Sequence, residues 1–170
     1  MVSKKNKIAL ILGSGGLAAY CMEQLVLLGY EITILRLPCS KLKIKKNIDY
    51  IDIYYEKISD ALSFLREKRI CEIALIGYVE RPVLDVLKAS HNSQKILLKI
   101  VSSLNKGDGA IFTAVKEMLI EENFRLLKVQ DLLPELTLPS GRYGSSFEEK
   151  KTLCEIKSGL ATVSYTHLTL

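Results

Sequence analysis

The segment KIALILGSGGLAAYC, residues 7–21, constrains the fold of this chain more than any other feature. It begins with an apolar run typical of a buried strand, continues with three glycines in four residues, and ends in apolar residues at helical spacing. Gly13 permits a tight turn, and Gly15 lets the backbone approach an anion at the unpaired N–H groups of the helix start. Ser14 adds a hydroxyl donor. The segment predicts a phosphate-binding turn or, alternatively, a turn that only lets strand and helix pack closely.

Strand and helix patterns alternate along the following hundred residues. They predict strands at residues 7–12, 31–37, 48–55 and 71–79, helices from about 17, 59, 82, 93 and 108, and a strand or extended segment at 124–133. Alternation at this spacing is typical of β-α-β units. The chain is therefore predicted to be an α/β protein with a Rossmann-like, mainly parallel sheet, helices on both faces, and the start of a second domain.

Particular side chains are assigned to these elements by the same pattern. The first helix is predicted to bury an apolar face consisting of Leu17, Tyr20, Cys21, Leu25 and Leu28. Ser59 is predicted to cap the second helix. Cys21 and Cys71 lie in apolar stretches and are predicted to be small core residues.

The composition changes at LLPELTLPSGRYGSS, where prolines, glycines and hydroxyl side chains replace the apolar periodicity. We predict a Rossmann-like domain at 1–133, a linker at 134–146, and the truncated beginning of a second domain at 147–170. A helix is predicted to start at 147, with Phe147, Leu153, Ile156 and Leu160 along one side. The pattern is lost over about 164–170, so these last residues are not expected to belong to that domain.

Cysteine spacing and hydropathy exclude two classes of protein. The four cysteines form no C-x-x-C pair, which excludes a zinc-finger pattern. No apolar run approaches the roughly 20 residues of a membrane span, so a membrane-spanning helix is not expected. With no Trp and four Phe, a stacking surface for nucleic acid is not expected. The net charge of +5 fits an exposed solvated face or attraction to anionic lipid or a phosphorylated ligand. A cytoplasmic protein, with peripheral contact to a membrane surface as an option, is the expectation.

Three charged residues are candidates for a site at the ends of the strands. Arg36 ends the second strand, where an arginine could accommodate the extra phosphate of NADP in an oxidoreductase. Arg81, in GYVERP, could bind phosphate oxygens or pair with a surface carboxylate. Asp108 could contact a ligand or magnesium, or cap the helix that it opens. No catalytic triad or metal-ligand cluster is evident, so a nucleotide-binding module without chemistry remains an alternative.

Four segments in order carry a resemblance to a known family: LILGSGGL, GYVERP, GDGAIFTAVKEMLIEENF and LLPELTLPSG. Over about residues 7–145 the chain resembles the N-terminal portion of LpxI-type UDP-2,3-diacylglucosamine pyrophosphatases, which act in lipid A biosynthesis. The resemblance implies an N-terminal Rossmann-like domain joined to a C-terminal domain that carries the important catalytic acid. The present chain scarcely enters that second domain, so it is expected to be inactive alone.

The resemblance also implies a reaction and partners. Family members hydrolyse the pyrophosphate bond of UDP-2,3-diacylglucosamine to UMP and lipid X with a divalent cation, usually Mg²⁺, and tend to be homodimers. Gly13, Ser14 and Gly15 would face the phosphates or uridine, and Arg81 and Asp108 would line the crevice between the domains. The catalytic and metal-binding residues stay unassigned in this chain. It has Gly109 where the family commonly has a second acid.

Overall fold

The computed structural model describes residues 6–80, 83–139, 141 and 154–161. Two compact units divide the chain, residues 1–137 and residues 138–170. The division falls within residues 134–146, the segment predicted to be a linker. That residues 147–170 begin a second domain stays a prediction. Residues 154–161 are helical, and the predicted helix start at 147–153 lies outside the described residues.

The first unit is built on a sheet of five parallel strands. The strands are β1 (Lys7–Leu12), β2 (Glu31–Arg36), β3 (Asp49–Asp52), β4 (Glu72–Ile76) and β5 (Arg125–Leu127). Their order across the sheet is β3-β2-β1-β4-β5, so β1 lies at the centre. The predicted parallel α/β sheet is therefore confirmed.

Helices cover both faces of this sheet. They are α1 (Gly16–Leu27), α2 (Ile58–Glu67), α3 (His91–Ser103), α4 (Asp108–Glu121) and the short α5 (Val129–Leu132). One buried cluster joins α1 and α5 to one face, and a second joins α2, α3 and α4 to the other. Among the described residues, no helix is long and apolar enough to cross a membrane.

The position of β1 at the centre of the sheet explains why its sequence is apolar at nearly every position. Ile8, Leu10 and Leu12 belong to the buried cluster on the α1 face, whereas Ala9 belongs to the cluster on the opposite face. Successive strand residues point to opposite faces of a sheet, so a strand covered by helices on both sides has no solvent-facing positions.

Four side chains predicted to be buried are exposed. Helix α1 buries Ala18, Cys21, Met22 and Leu25, while Leu17, Tyr20 and Leu28 of the predicted face are exposed. The buried face of α1 thus includes the small residues Ala18 and Cys21 in place of the larger Leu17 and Tyr20. Cys71 is exposed, since it precedes β4 rather than lying in it.

Two helix predictions also need correction. Ser59 is the second residue of α2 and not its cap, which is Lys57. The helix predicted from 82 to 90 is a single 3-10 turn, Val86–Lys88, in the described part of that segment. There the Asp85 carboxylate accepts hydrogen bonds from the N–H groups of Leu87 and Lys88, a local bond that competes with helix formation. The segment at 124–133 divides into β5 and α5.

Candidate functional site

The glycine turn lies at the carboxyl edge of the sheet, the side on which the parallel strands end. From there β1 leads into α1 on one face, whereas the chain after β4 leads to α3 on the other. The order of the strands reverses between β1 and β4. Ligands of open parallel sheets bind in the crevice at such a reversal, outside the carboxyl ends of the strands.

The loops after β1 and β4 are hydrogen-bonded to each other across this crevice. The Gly13 N–H donates to the carbonyl of Ile76 (2.9 Å), and the Ser14 N–H donates to the carbonyl of Tyr78 (2.7 Å). The Tyr78 N–H donates in return to the carbonyl of Ser14 (2.8 Å). Sequence reasoning missed Tyr78, because an isolated bridge between two loops leaves no periodic pattern.

This pairing explains two of the glycines. A Cβ atom on Gly13 would lie 2.2 Å from the carbonyl oxygen of Tyr78, which no side chain can tolerate. Gly77 has a φ of +99°, and a Cβ there would lie 2.8 Å from the carbonyl oxygen of Ser14. Glycine is required at both positions so that the two loops can meet.

The Ser14 side chain fastens the turn to a third loop. Its hydroxyl donates to the carbonyl of Cys39, which follows β2, at 2.7 Å. Its N–H and carbonyl are already paired with Tyr78. A phosphate accepts hydrogen bonds, so Ser14 would have to give up one of these bonds to donate to a ligand. These bonds hold the turn against the loops that follow β2 and β4.

Gly15 and the start of α1 are arranged differently. Gly15 precedes α1 with φ 110° and ψ 162°, a conformation essentially restricted to glycine, and no side chain caps the helix. A Cβ on Gly15 would meet nothing within 4 Å, so the space beside it is open. The first N–H groups of a helix have no partner within the helix. This end of α1 therefore presents donors and a positive dipole end to the crevice.

Helix α4 begins in the same way at the same edge of the sheet. Gly107 precedes it with φ 100° and ψ 168°, again without a side-chain cap. Because α4 leads directly into the parallel strand β5, its N-terminus lies at the carboxyl edge. Asp108 is the first residue of α4 and not its cap. The Asp108 side chain and the whole of Arg81 lie outside the described part of the structure.

Arg36 is paired with a carboxylate that sequence reasoning missed. Its guanidinium donates twice to Asp52, from Nε at 2.6 Å and from Nη2 at 3.0 Å, and once to the carbonyl of Leu42 at 3.2 Å. The hydrogen bonds and charge of Arg36 lower the pKa of Asp52 below its ordinary value. An NADP phosphate would therefore meet an arginine whose charge is already offset by Asp52. Arg36 and Asp52 are neighbours because of the register between β2 and β3. Knowledge of that register would have been needed to predict the pair from the sequence.

The described residues do not form a metal centre. Among the side chains that the structure describes, which do not include that of Asp108, no group of three or more His, Cys, Asp or Glu could hold an ion. The magnesium expectation thus has no set of ligands in this part of the chain.

Comparisons with protein families, curated proteins and solved structures relate the chain to known proteins. The family model described as LpxI N-terminal domain matches residues 7–136. A curated relative, "UDP-2,3-diacylglucosamine pyrophosphatase LpxI" of Caulobacter vibrioides, is 23% identical over 155 residues, which cover 91% of this chain and 55% of the relative. The chain thus spans about half the length of that relative. Among solved structures, the NAD⁺ complex of WbmH from Bordetella bronchiseptica has 9% identity and a TM-score of 0.38, covering 66% of this chain and 36% of WbmH.

Proposed function

Because the chain belongs to the LpxI family, we propose that it supplies the N-terminal, substrate-binding domain of an enzyme that hydrolyses UDP-2,3-diacylglucosamine. The pyrophosphate bond would be cleaved to give UMP and lipid X, a step of lipid A biosynthesis. The family match over residues 7–136 and the activity named for the Caulobacter relative support this proposal. The chain contributes binding, and the hydrolytic residues are proposed to lie in a C-terminal domain beyond it.

The open helix start after Gly15 is the observation that carries the proposal. A diphosphate brings negative charge that needs hydrogen-bond donors, and backbone N–H groups at a helix N-terminus supply them without a charged side chain. Gly13 and Ser14 would hold the turn in shape, and Gly15 would let the phosphates approach. Arg81 and Asp108 are proposed to line the same crevice on the side of β4.

Magnesium enters only through the family resemblance. The described residues do not provide a ligand set for it, so no step of the proposal runs through the ion. The proposed contribution of this chain is to bind the diphosphate and to orient the acylated sugar toward the second domain.

The proposed assembly and location follow the same resemblance. We propose a homodimer in the cytoplasm that collects its acylated UDP-sugar at the inner membrane surface. The net charge of +5 supports such contact, since basic surfaces are attracted to anionic lipid.

Nucleotide protection against thermal unfolding tests the binding half of the proposal. UDP and UMP are expected to raise the unfolding temperature of the 170-residue chain, whereas NADPH is not. Gly15→Ala should weaken UDP binding about tenfold or more, because alanine is strained by about 1–3 kcal/mol at this φ. Gly16→Ala is the matched control, since Gly16 has open space and is part of the helix.

Three results would contradict the proposal. Protection by NADPH alone would favour an oxidoreductase domain, and equal effects of Gly15→Ala and Gly16→Ala would remove the glycine turn from the site. The third result would come from the longest protein that the reading frame of this chain encodes. If that protein binds UDP but leaves UDP-2,3-diacylglucosamine intact in the presence of Mg²⁺, the chain is a nucleotide-binding module instead.

A further inference from the structure

A large apolar cavity lies under the carboxyl half of the sheet, on the face covered by α2, α3 and α4. Its volume is about 500 Å³. The sheet contributes Ile11, Leu35 and Leu75, and the helices contribute Ala61, Ile100 and Val115. We call this space the apolar cavity.

The size and chemistry of the apolar cavity are those of a ligand site. Protein interiors are packed to nearly crystalline density, and an empty apolar space of this size lowers stability. Pockets that bind small molecules have volumes of roughly 300–1,000 Å³. The polar lining side chains are few and include Tyr55 and Glu80. An occupant that fills this space has to be apolar along most of its length.

The apolar cavity adjoins the glycine turn through a single loop. Gly77, Tyr78 and Val79 form part of its wall. The same loop pairs with the turn, because Ser14 and Tyr78 exchange backbone hydrogen bonds of 2.7 and 2.8 Å. A Cβ on Gly13 would lie 3.2 Å from Cγ2 of Val79. One ligand can therefore place an anionic group at the start of α1 and an apolar chain across this loop.

The rim of the apolar cavity favours entry of a chain with its polar end outward. Phe112 and Val79 are lining residues that are 54% and 44% exposed, so apolar surface continues from the interior to solvent. Glu80 is also a lining residue, and its negative charge would repel an anionic group that entered the cavity. The phosphates of a ligand would thus remain outside.

We propose that the apolar cavity holds one acyl chain of the acylated UDP-sugar and that its depth sets the chain length accepted. This inference rests on the proposed function, which supplies a ligand with both a diphosphate and acyl chains. A nucleotide without an acyl chain would leave the apolar cavity empty. The α4 residues that line the apolar cavity would therefore determine chain-length specificity without contacting the reacting phosphates.

Alkyl glucosides below their micelle concentrations test the assignment on the 170-residue chain. They carry a neutral sugar and one chain, so Glu80 does not oppose them. Affinity is expected to rise by about fourfold for each added methylene from octyl to dodecyl glucoside, until the apolar cavity is filled. Isothermal titration measures this series.

Two cavity variants and a control locate the binding. Val115→Phe should weaken dodecyl glucoside binding at least tenfold more than octyl glucoside binding, since it occupies the space that the longer chain needs. Ile111→Ala enlarges the cavity and should shift the preference toward the longer chain, a gain that misfolding cannot produce. Ile120→Phe, on the exposed side of the same helix, should change neither affinity.

The outcomes separate this inference from the proposed function. Affinity independent of chain length, or equal effects of Val115→Phe and Ile120→Phe, overturns the cavity assignment even if UDP protects the protein. A response to chain length without UDP binding or hydrolysis supports a chain-binding cavity and overturns the acylated UDP-sugar as its ligand.

Discussion

Gly13 and Gly15 lie two residues apart in one turn, yet they require glycine for different physical reasons. At Gly13 a side chain would collide with the carbonyl of Tyr78, so the requirement is space. At Gly15 the space is open, and the requirement is the backbone conformation, with φ at +110°. The sequence pattern predicted glycine-dependent geometry at both positions. It assigned the tight turn to Gly13 but had no means of finding Tyr78.

Tyr55 is the residue for which the structure predicts a pH effect. Burial in the wall of the apolar cavity, and then the charges of Cys39, Glu56 and Glu80, raise the pKa of Tyr55 to about 12. Folding favours the neutral phenol, so its contribution to stability is complete below pH 10 and is lost as pH rises toward 12. After allowance for solvent screening of this half-buried group, the contribution is on the order of 1 kcal/mol.

The measurement compares the free energy of unfolding of the native chain and Tyr55→Phe between about pH 9 and 12. The native chain should lose more stability with rising pH, because phenylalanine has no proton to release. Parallel losses in the two proteins would contradict the assigned pKa.

At the scale of elements, α2 and α3 are joined by three serines. The Ser93 hydroxyl is fully buried and lies 2.9 Å from the hydroxyls of both Ser59 and Ser90. It also accepts a hydrogen bond from the Ser59 N–H at 3.1 Å. Ser90, in turn, is the N-cap of α3. The start of α2 is therefore held by a side chain of α3.

Ser93→Ala is expected to lower the free energy of unfolding by about 1–3 kcal/mol, because the Ser59 N–H and two hydroxyls lose their partner. Denaturant unfolding measures the difference. Ser102→Ala on the same helix is the control: that hydroxyl is exposed and donates only to the carbonyl of Lys99, so a change within about 0.5 kcal/mol is expected. Equal losses would contradict the role of Ser93.

At the scale of the whole molecule, both buried clusters and the five-stranded sheet lie within residues 6–137. The last buried residues of the α1-face cluster are Leu132 and Leu133 of α5 and its end. Residues that complete a core determine where a chain can be shortened. The first unit is thus predicted to fold alone.

A chain that ends at Thr137 should keep the unfolding temperature of the 170-residue chain within a few degrees. A chain that ends at Asp131 is the control, since it lacks two buried leucines, each of which contributes about 1.5–3 kcal/mol. Calorimetry compares the three proteins. A large loss of stability on truncation at Thr137 would show that residues 138–170 support the first unit.

The sequence by itself determined the parallel α/β architecture, the strand–turn–helix unit and the helix that starts at Asp108. Those features follow from apolar periodicity and from glycine, which act over neighbouring residues. Only the tertiary structure paired Ser14 with Tyr78, placed Asp52 on Arg36, buried Ser93 against Ser59 and left an apolar cavity under the sheet. These contacts join residues far apart in the chain, and their partners depend on strand order and register, which no local pattern specifies.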